Sequence, residues 1–164
     1  MGGKKDAHRI PGINLQLSDQ EIFKFGAMNA TILEVPGHTL GAIAYFFESE
    51  EALFTGDTLF SLGCGRLFEG TAEQMFSSLN KIKSLPPKTQ IYCGHEYTEK
   101  NCRFALSLDP ESQKLKDFHK RILARREENR PTLPAILADE LRLNPFLNCD
   151  LQQFKERRRL RDQF

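Results

Sequence analysis

Phe54-Thr-Gly-Asp-Thr-Leu-Phe60 reads as a strand that runs into a turn, with a carboxylate directly after the glycine. Two other stretches are built the same way. Thr31-Ile-Leu-Glu-Val35 is β-branched and stops at Pro36-Gly37, and His38 follows. Gln90-Ile-Tyr-Cys93 is a short strand that stops at Gly94, and His95 follows. Side chains at strand ends on one sheet edge can converge on one point. A glycine beside each end lets the backbone turn sharply and approach closely. Gly-His-Thr, Gly-Asp-Thr and Gly-His-Glu therefore predict three potential ligands at one sheet edge. Singly, each reads as an ordinary turn residue. Jointly, two imidazoles and one carboxylate make a donor set suited to zinc, iron or manganese.

Outward from these turns, residues 1–97 read as strands and turns with one helix. Glu21-Ile-Phe-Lys-Phe25 alternates as a half-buried strand does, and Ala42–Phe47 is a buried-strand run. The glycine-rich stretch Leu62-Gly-Cys-Gly-Arg66 to Glu69-Gly70 reads as a loop. Thr71 and Gln74 have capping-box spacing ahead of the apolar stripe Met75, Phe76, Leu79 and Ile82, and Pro86-Pro87 ends that helix. After His95 the pattern predicts helices alone. One spans Glu99 to Ser107. A second carries Leu115, Phe118 and Ile122 on one face, with Asp109 as its N-cap and Pro110 at its first position. Two more fall at Leu137 to Leu141 and Leu151 to Arg161. The domain boundary is expected near residue 97, giving units 1–97 and 98–164.

The composition is that of a soluble globular protein: 164 residues, 40% hydrophobic, 27% charged, formal net charge +1. No apolar run approaches the roughly 18 residues of a membrane span, and the chain opens without a signal-peptide pattern. Cys64, Cys93, Cys102 and Cys149 show no CxxC pairing, so they are read as reduced thiols in a cytoplasmic compartment. Acidic residues outnumber basic ones up to residue 100, and the order reverses after it. This asymmetry points to an anionic partner of the basic tail. Nucleic acid is a poor fit, because the tail lacks a basic surface interleaved with aromatic residues.

Pro36-Gly-His-Thr39, Phe54–Phe60, Gly63-Cys-Gly-Arg66, Phe68-Glu-Gly-Thr71 and Tyr92-Cys-Gly-His-Glu-Tyr97, in this order, resemble the glyoxalase II (hydroxyacylglutathione hydrolase) branch of the metallo-β-lactamase superfamily. Asn144-Pro-Phe146 and the closing Asp162-Gln-Phe164 extend the resemblance through the tail. The resemblance implies an α/β (α+β) fold: the C-terminal half of a metallo-β-lactamase-like αββα sandwich, then a helical glutathione-binding domain. It implies hydrolysis of S-lactoylglutathione to lactate and glutathione at a pair of metal ions, zinc with iron or manganese as alternatives. His38 would bind the first metal, Asp57 would bridge both, and His95 would bind the second. Arg66, Phe68, Tyr97, Arg158 and Arg161 fall at substrate-binding positions. Phe68 stands where the family has tyrosine, a lost hydroxyl that costs about 1.5–3 kcal/mol at most. Arg157 and Arg159 are read as a solvated helix face.

One departure is large. The family's main metal motif, Thr-His-x-His-x-Asp-His, lies upstream of the blocks quoted above. The four histidines here, His8, His38, His95 and His119, include no His-x-His pair. His8 and His119 are read as surface or packed residues. The chain is thus expected to resemble the back part of the enzyme. The alternative to a working thioesterase is a catalytically incomplete remnant or interaction module. An apolar sheet face should then be open to a separate chain or to self-association, with Leu33, Ile43, Phe46 and Phe47 as candidates.

Overall fold

The structure, a computed structural model, describes residues 1–164. β1 (Gly2–Gly3) pairs in parallel with β2 (Gln16–Leu17) around 3-10 turns at Lys4–Arg9. β3 (Ile22–Phe25), β4 (Met28–Glu34), β5 (Ile43–Phe47) and β6 (Ala52–Gly56) form an antiparallel meander. A short hairpin follows, β7 (Leu59–Phe60) and β8 (Gly63–Cys64). Helix α1 (Ala72–Lys83) then crosses over to β9 (Gln90–Cys93), which lies parallel to β6. The remainder is α2 (Thr98–Leu108), α3 (Gln113–Glu127), β10 (Ala135–Ile136), α4 (Leu137–Leu143) and α5 (Leu151–Gln163). The main sheet is ordered β10-β9-β6-β5-β4-β3. No helix is long and apolar enough to cross a membrane.

Helix α1 starts as its sequence predicts. The Thr71 side chain accepts from the Gln74 amide at 3.2 Å, and the Gln74 side chain accepts from the Thr71 amide at 2.8 Å. Its buried stripe, Met75, Leu79 and Ile82, covers the sheet face made by Leu33, Ala44, Phe46, Leu53 and Ile91. Phe104, Leu137, Phe146 and Phe154 of the helical part enter the same core. Strands and helices therefore share this interior, and Cys102 and Ala105 of α2 form a second, smaller one with Leu115, Phe118 and Ile122 of α3 and Leu62.

Three expectations are corrected. A strand does follow His95: Ala135–Ile136 pairs antiparallel with β9, and the pair is too short to carry a period in sequence. Helix α3 starts at Gln113 with Ser112 as N-cap. Asp109 instead closes α2, and its carbonyl accepts from the Ser112 amide in an intervening turn. The open apolar face lies largely elsewhere than expected. Leu33 and Phe46 are buried under α1, because strand pairing puts them on the helix side. The opposite face carries Ile43 and Phe47, the latter also buried against expectation, together with a ladder of rings. Tyr45 pairs with Phe54 and Phe54 with Tyr92 in register, Phe54 stacks on Tyr92 at 5.0 Å, and Phe23 meets Tyr45 edge-on at 5.9 Å. Phe54 is 43% exposed there.

The β7–β8 hairpin has too few residues to satisfy its own backbone, and Leu62 at its tip has φ +54°. The helical part supplies the missing partners. Glu140 is fully buried: its Oε2 accepts from the Leu62 amide at 2.8 Å and from Asn144 Nδ2 at 2.9 Å, and its Oε1 accepts from Ser61 Oγ at 2.9 Å. Asn144 Nδ2 also reaches the carbonyls of Phe60 and Gly63, and Asn101 Nδ2 donates to the Ser61 carbonyl at 3.0 Å. Burial pushes the Glu140 carboxyl up to about 7, against the pull of its three donors.

From that shift the folded protein holds one more proton than the unfolded chain between the ordinary glutamate range and about pH 7. Glu140 therefore contributes a loss of stability as pH rises through this window, by up to about 1.4 kcal/mol per pH unit. Glu140→Gln has the shape of the protonated acid, with its amide donating to Ser61 Oγ. Denaturant unfolding of this variant across pH 5–7 should show a flatter pH dependence than the parent.

Candidate active site

The three strand-exit turns meet at one place. β4 ends at Glu34 and leads to Pro36-Gly37, where Gly37 has φ +150° and a Cβ would lie 2.7 Å from the Met75 Cβ. β6 ends at Gly56, φ +51°, and delivers Asp57. Flanking hydroxyls fix that turn: Thr55 Oγ1 donates to the Leu59 carbonyl at 2.8 Å and Thr58 Oγ1 to the Val35 carbonyl at 3.4 Å. β9 ends at Cys93, and the amide of Gly94 after it donates to the Gly56 carbonyl at 2.9 Å. A Cβ on Gly94 would sit 2.4 Å from Asp57 Oδ1, so only glycine lets the His95 turn approach the Asp57 turn this closely.

Both imidazoles face the same carboxylate oxygen. His38 Nε2 lies 3.6 Å and His95 Nε2 3.3 Å from Asp57 Oδ2. His38 Nδ1 lies 2.9 Å from the Arg66 carbonyl, which can only accept, so Nδ1 carries the proton. In the neutral ring Nε2 is then a lone pair pointing at a carboxylate. Two acceptors face one another, and that arrangement calls for a proton or a cation between them. No three His, Cys, Asp or Glu side chains enclose a single ion. By its chemistry the set fits a divalent metal.

A cleft of about 380 Å³ opens beside this point, and all eight residues singled out from the sequence line it: His38, Asp57, Arg66, Phe68, His95, Tyr97, Arg158 and Arg161. The Phe68 ring lies 4.9 Å from that of His38 and is 67% exposed. Tyr97 stacks on His95 at 5.0 Å. The two tail arginines differ. Arg161 is half-buried; it donates to Asn101 Oδ1 at 3.1 Å and lies over the rings of Phe104 and Phe164. Arg158 is buried, with Nη1 donating to the Cys64 carbonyl at 2.8 Å and Nη2 to Asp162 Oδ1 at 2.9 Å. Its Nε is buried without a partner. Its guanidinium thus holds the loop whose next carbonyl but one, that of Arg66, orients His38.

Sequence reasoning missed several participants. Lys100 and Asn101 line the cleft, three and four residues after Tyr97, a spacing that puts them on its side of α2. Asp162 bridges Arg158 and Arg66, the latter at 3.6 Å. Cys64 lies in the wall, and burial pushes its thiol up to about 11. Arg157 is not on a solvated face: its Nη1 donates to the carbonyls of Pro145 and Asn148. Arg159 does stay on the surface, paired with Glu156. His119 lies on α3 with its Nε2 buried, and His8 is exposed. Four cations against Asp57 and Asp162 make the cleft positive, which favours an anionic ligand.

Comparison with known proteins adds a family. Residues 7–95 match the metallo-beta-lactamase superfamily, and residues 96–164 match the hydroxyacylglutathione hydrolase C-terminus. A hydroxyacylglutathione hydrolase of Methylococcus capsulatus is 48% identical over 157 residues, 96% of this chain and 61% of that protein. One of Pelagibacter ubique is 48% identical over 165 residues, covering 100% of this chain and 69% of that protein. The chain thus spans about six tenths of the Methylococcus protein's length. Among solved structures, ETHE1 from Myxococcus xanthus aligns with TM-score 0.65 and 23% identity over 96% of this chain and 54% of its own. The BLEG-1 B3 metallo-beta-lactamase aligns with TM-score 0.61 and 22% identity over 90% of this chain and 64% of its own. At these identities the two structures show the shared fold.

The contrast between the tail arginines is testable. Arg158→Ala strips the Cys64 carbonyl of its charged donor and should destabilise the protein by about 2–3 kcal/mol in denaturant unfolding. Arg161→Ala, which removes a less buried side chain, should cost about 1 kcal/mol or less.

Proposed function

The chain belongs to the hydroxyacylglutathione hydrolase family of the metallo-β-lactamase superfamily, and on that premise we propose that it hydrolyses glutathione thioesters such as S-lactoylglutathione. The observation that carries this is the convergence of His38 and His95 on one oxygen of Asp57, in the wall of a cationic cleft. On this reading residues 1–97 would carry the metal turns with Arg66, Phe68 and Tyr97, and residues 98–164 would add Arg161 to the substrate site. His38 and Asp57 would hold one ion, and Asp57 and His95 the second, zinc being the first candidate and iron or manganese the alternatives. When bound, such a pair lowers the pKa of a water to near neutrality and polarises a carbonyl.

The chain's own residues do the rest. Arg66 and Arg161 attract the two carboxylates of the glutathione moiety. Tyr97 and Phe68 flank the metal turns and offer ring faces to the thioester. Arg158 holds the Cys64 carbonyl and so steadies the loop under His38. The leaving group is a thiolate, stable enough to depart without a general acid, and no acid is needed at that side of the cleft. A cytoplasmic setting, where free thiols persist, is part of this reading.

A second reading has its own observation. Each metal position receives only two donors from this chain, a set that holds a divalent ion weakly. By itself the chain would then be a glutathione-binding module without turnover. Another chain would supply the remaining donors, and the open aromatic face of the sheet is the apolar surface available to it.

Hydrolysis of S-lactoylglutathione by the purified chain, with added zinc and with chelator, separates the two. Chelator-sensitive turnover is the expected result for the first. Glutathione binding without turnover from folded protein supports the second, and binding of neither overturns both. In the active form, Arg161→Ala should raise KM about tenfold with kcat little changed, and Phe68→Tyr should lower KM by up to about tenfold through a restored hydroxyl donor.

A further inference from the structure

His38 and His95 are held differently. The His38 ring is fixed by its own Nδ1–H bond to the Arg66 carbonyl, whereas His95 is half exposed, and apart from Asp57 its ring meets only the rings of Tyr97 and Phe60. The residue after it, Glu96, reaches across the fold. Its Oε2 accepts from the Thr132 amide at 2.9 Å and its Oε1 accepts from Thr132 Oγ1. Thr132 Oγ1 in turn lies 2.6 Å from Thr98 Oγ1, and both threonines are buried. Arg126 of α3 adds a cation 3.9 Å from Glu96 Oε2. Thr132 belongs to the segment between α3 and β10, 36 residues further along the chain. Glu96 is thus the side chain that ties the Gly-His-Glu turn to the helical part.

We propose that Glu96 and Thr132 are positioning residues for His95: their two-point bond fixes the turn so that the imidazole keeps its stack on Tyr97 and its Nε2 on Asp57. The geometry is specific. A carboxylate accepting from one residue's amide and hydroxyl together is held in orientation as well as in distance, which a single hydrogen bond cannot do. The segment carrying Thr132 is itself secured by β10, where Ala135 and Ile136 pair with Ile91 and Gln90 of the strand that delivers His95. Strand β9 and its exit turn are therefore gripped by one segment at two places. The inference rests on His95 being a ligand only for its consequence in metal binding; the orientation of the ring is a property of the chain itself.

Two readouts test it, and the first needs neither metal nor turnover. In the metal-free protein, NMR should show cross-relaxation between the His95 and Tyr97 rings. Glu96→Ala and Thr132→Val should lose that contact. Glu96→Gln, whose amide can accept from the Thr132 amide and donate to its hydroxyl, should keep it, as should Thr132→Ser. The second readout is cobalt(II) titration followed by absorbance, in which the first two variants should bind about 10–100-fold more weakly and the conservative pair should bind as the parent does. An unchanged ring contact in a folded Glu96→Ala or Thr132→Val protein overturns the proposal. So does a loss that the conservative variants share, since that would mark general destabilisation. A parent that binds no cobalt but loses the ring contact in Glu96→Ala supports the positioning role and counts against the metal reading of His95.

Discussion

Buried backbone polar groups must be paired, and the chain from Phe60 to Gly65 cannot pair its own. Its hairpin is two residues per strand, with a left-handed residue at the tip. The carbonyls of Phe60, Ser61, Gly63 and Cys64 and the amide of Leu62 are met by Asn101, Glu140, Asn144 and Arg158, all from the helical part. This one requirement explains why helices α2, α4 and α5 sit where they do. It also explains why polar side chains as costly to bury as Glu140 and Arg158 are found inside. The hairpin leads directly into the loop that orients His38, so the order of the candidate site depends on a stretch of backbone stabilised from elsewhere in the chain.

The electrostatics follow from the same architecture. Asp57 stands at the exit of a central strand with a histidine from each of two neighbouring strand ends turned toward one of its oxygens. Around that concentration of acceptors the helices place Lys100, Arg158 and Arg161, and the glycine loop adds Arg66. Acceptors at the floor and donors at the rim divide the cleft into a place for a cation and a place for an anion.

Much of this was legible in the sequence, for identifiable reasons. Turns built on glycine declare themselves by residue type, so the His38, Asp57 and His95 turns and the capped start of α1 could be read directly. The resemblance brought the tail arginines. What escaped reading depends on tertiary contact. Glu140 looks like any acidic residue on a short helix, and only the unpaired amide of Leu62 explains its burial. Ala135–Ile136 is too short to show a period and forms a strand because β9 offers it an edge. Leu33 and Phe46 belong to the helix-facing side because register, which no single strand encodes, pairs them that way. Arg157 and Arg158 are adjacent and chemically identical, yet they serve different carbonyls because α5 turns them by one helical step.

Cys64 lies in the wall of a cleft read here as receiving a thioester. A thiolate in that position would exchange acyl groups with its guest and leave the protein acylated in place of the substrate hydrolysed. Burial pushes the thiol up to about 11 despite the neighbouring Arg158, which makes the already small thiolate fraction at neutral pH smaller still. The packing that closes the hairpin against α5 therefore also keeps this thiol in its less reactive form. Loosening that packing would create a nucleophile where the fold has suppressed one.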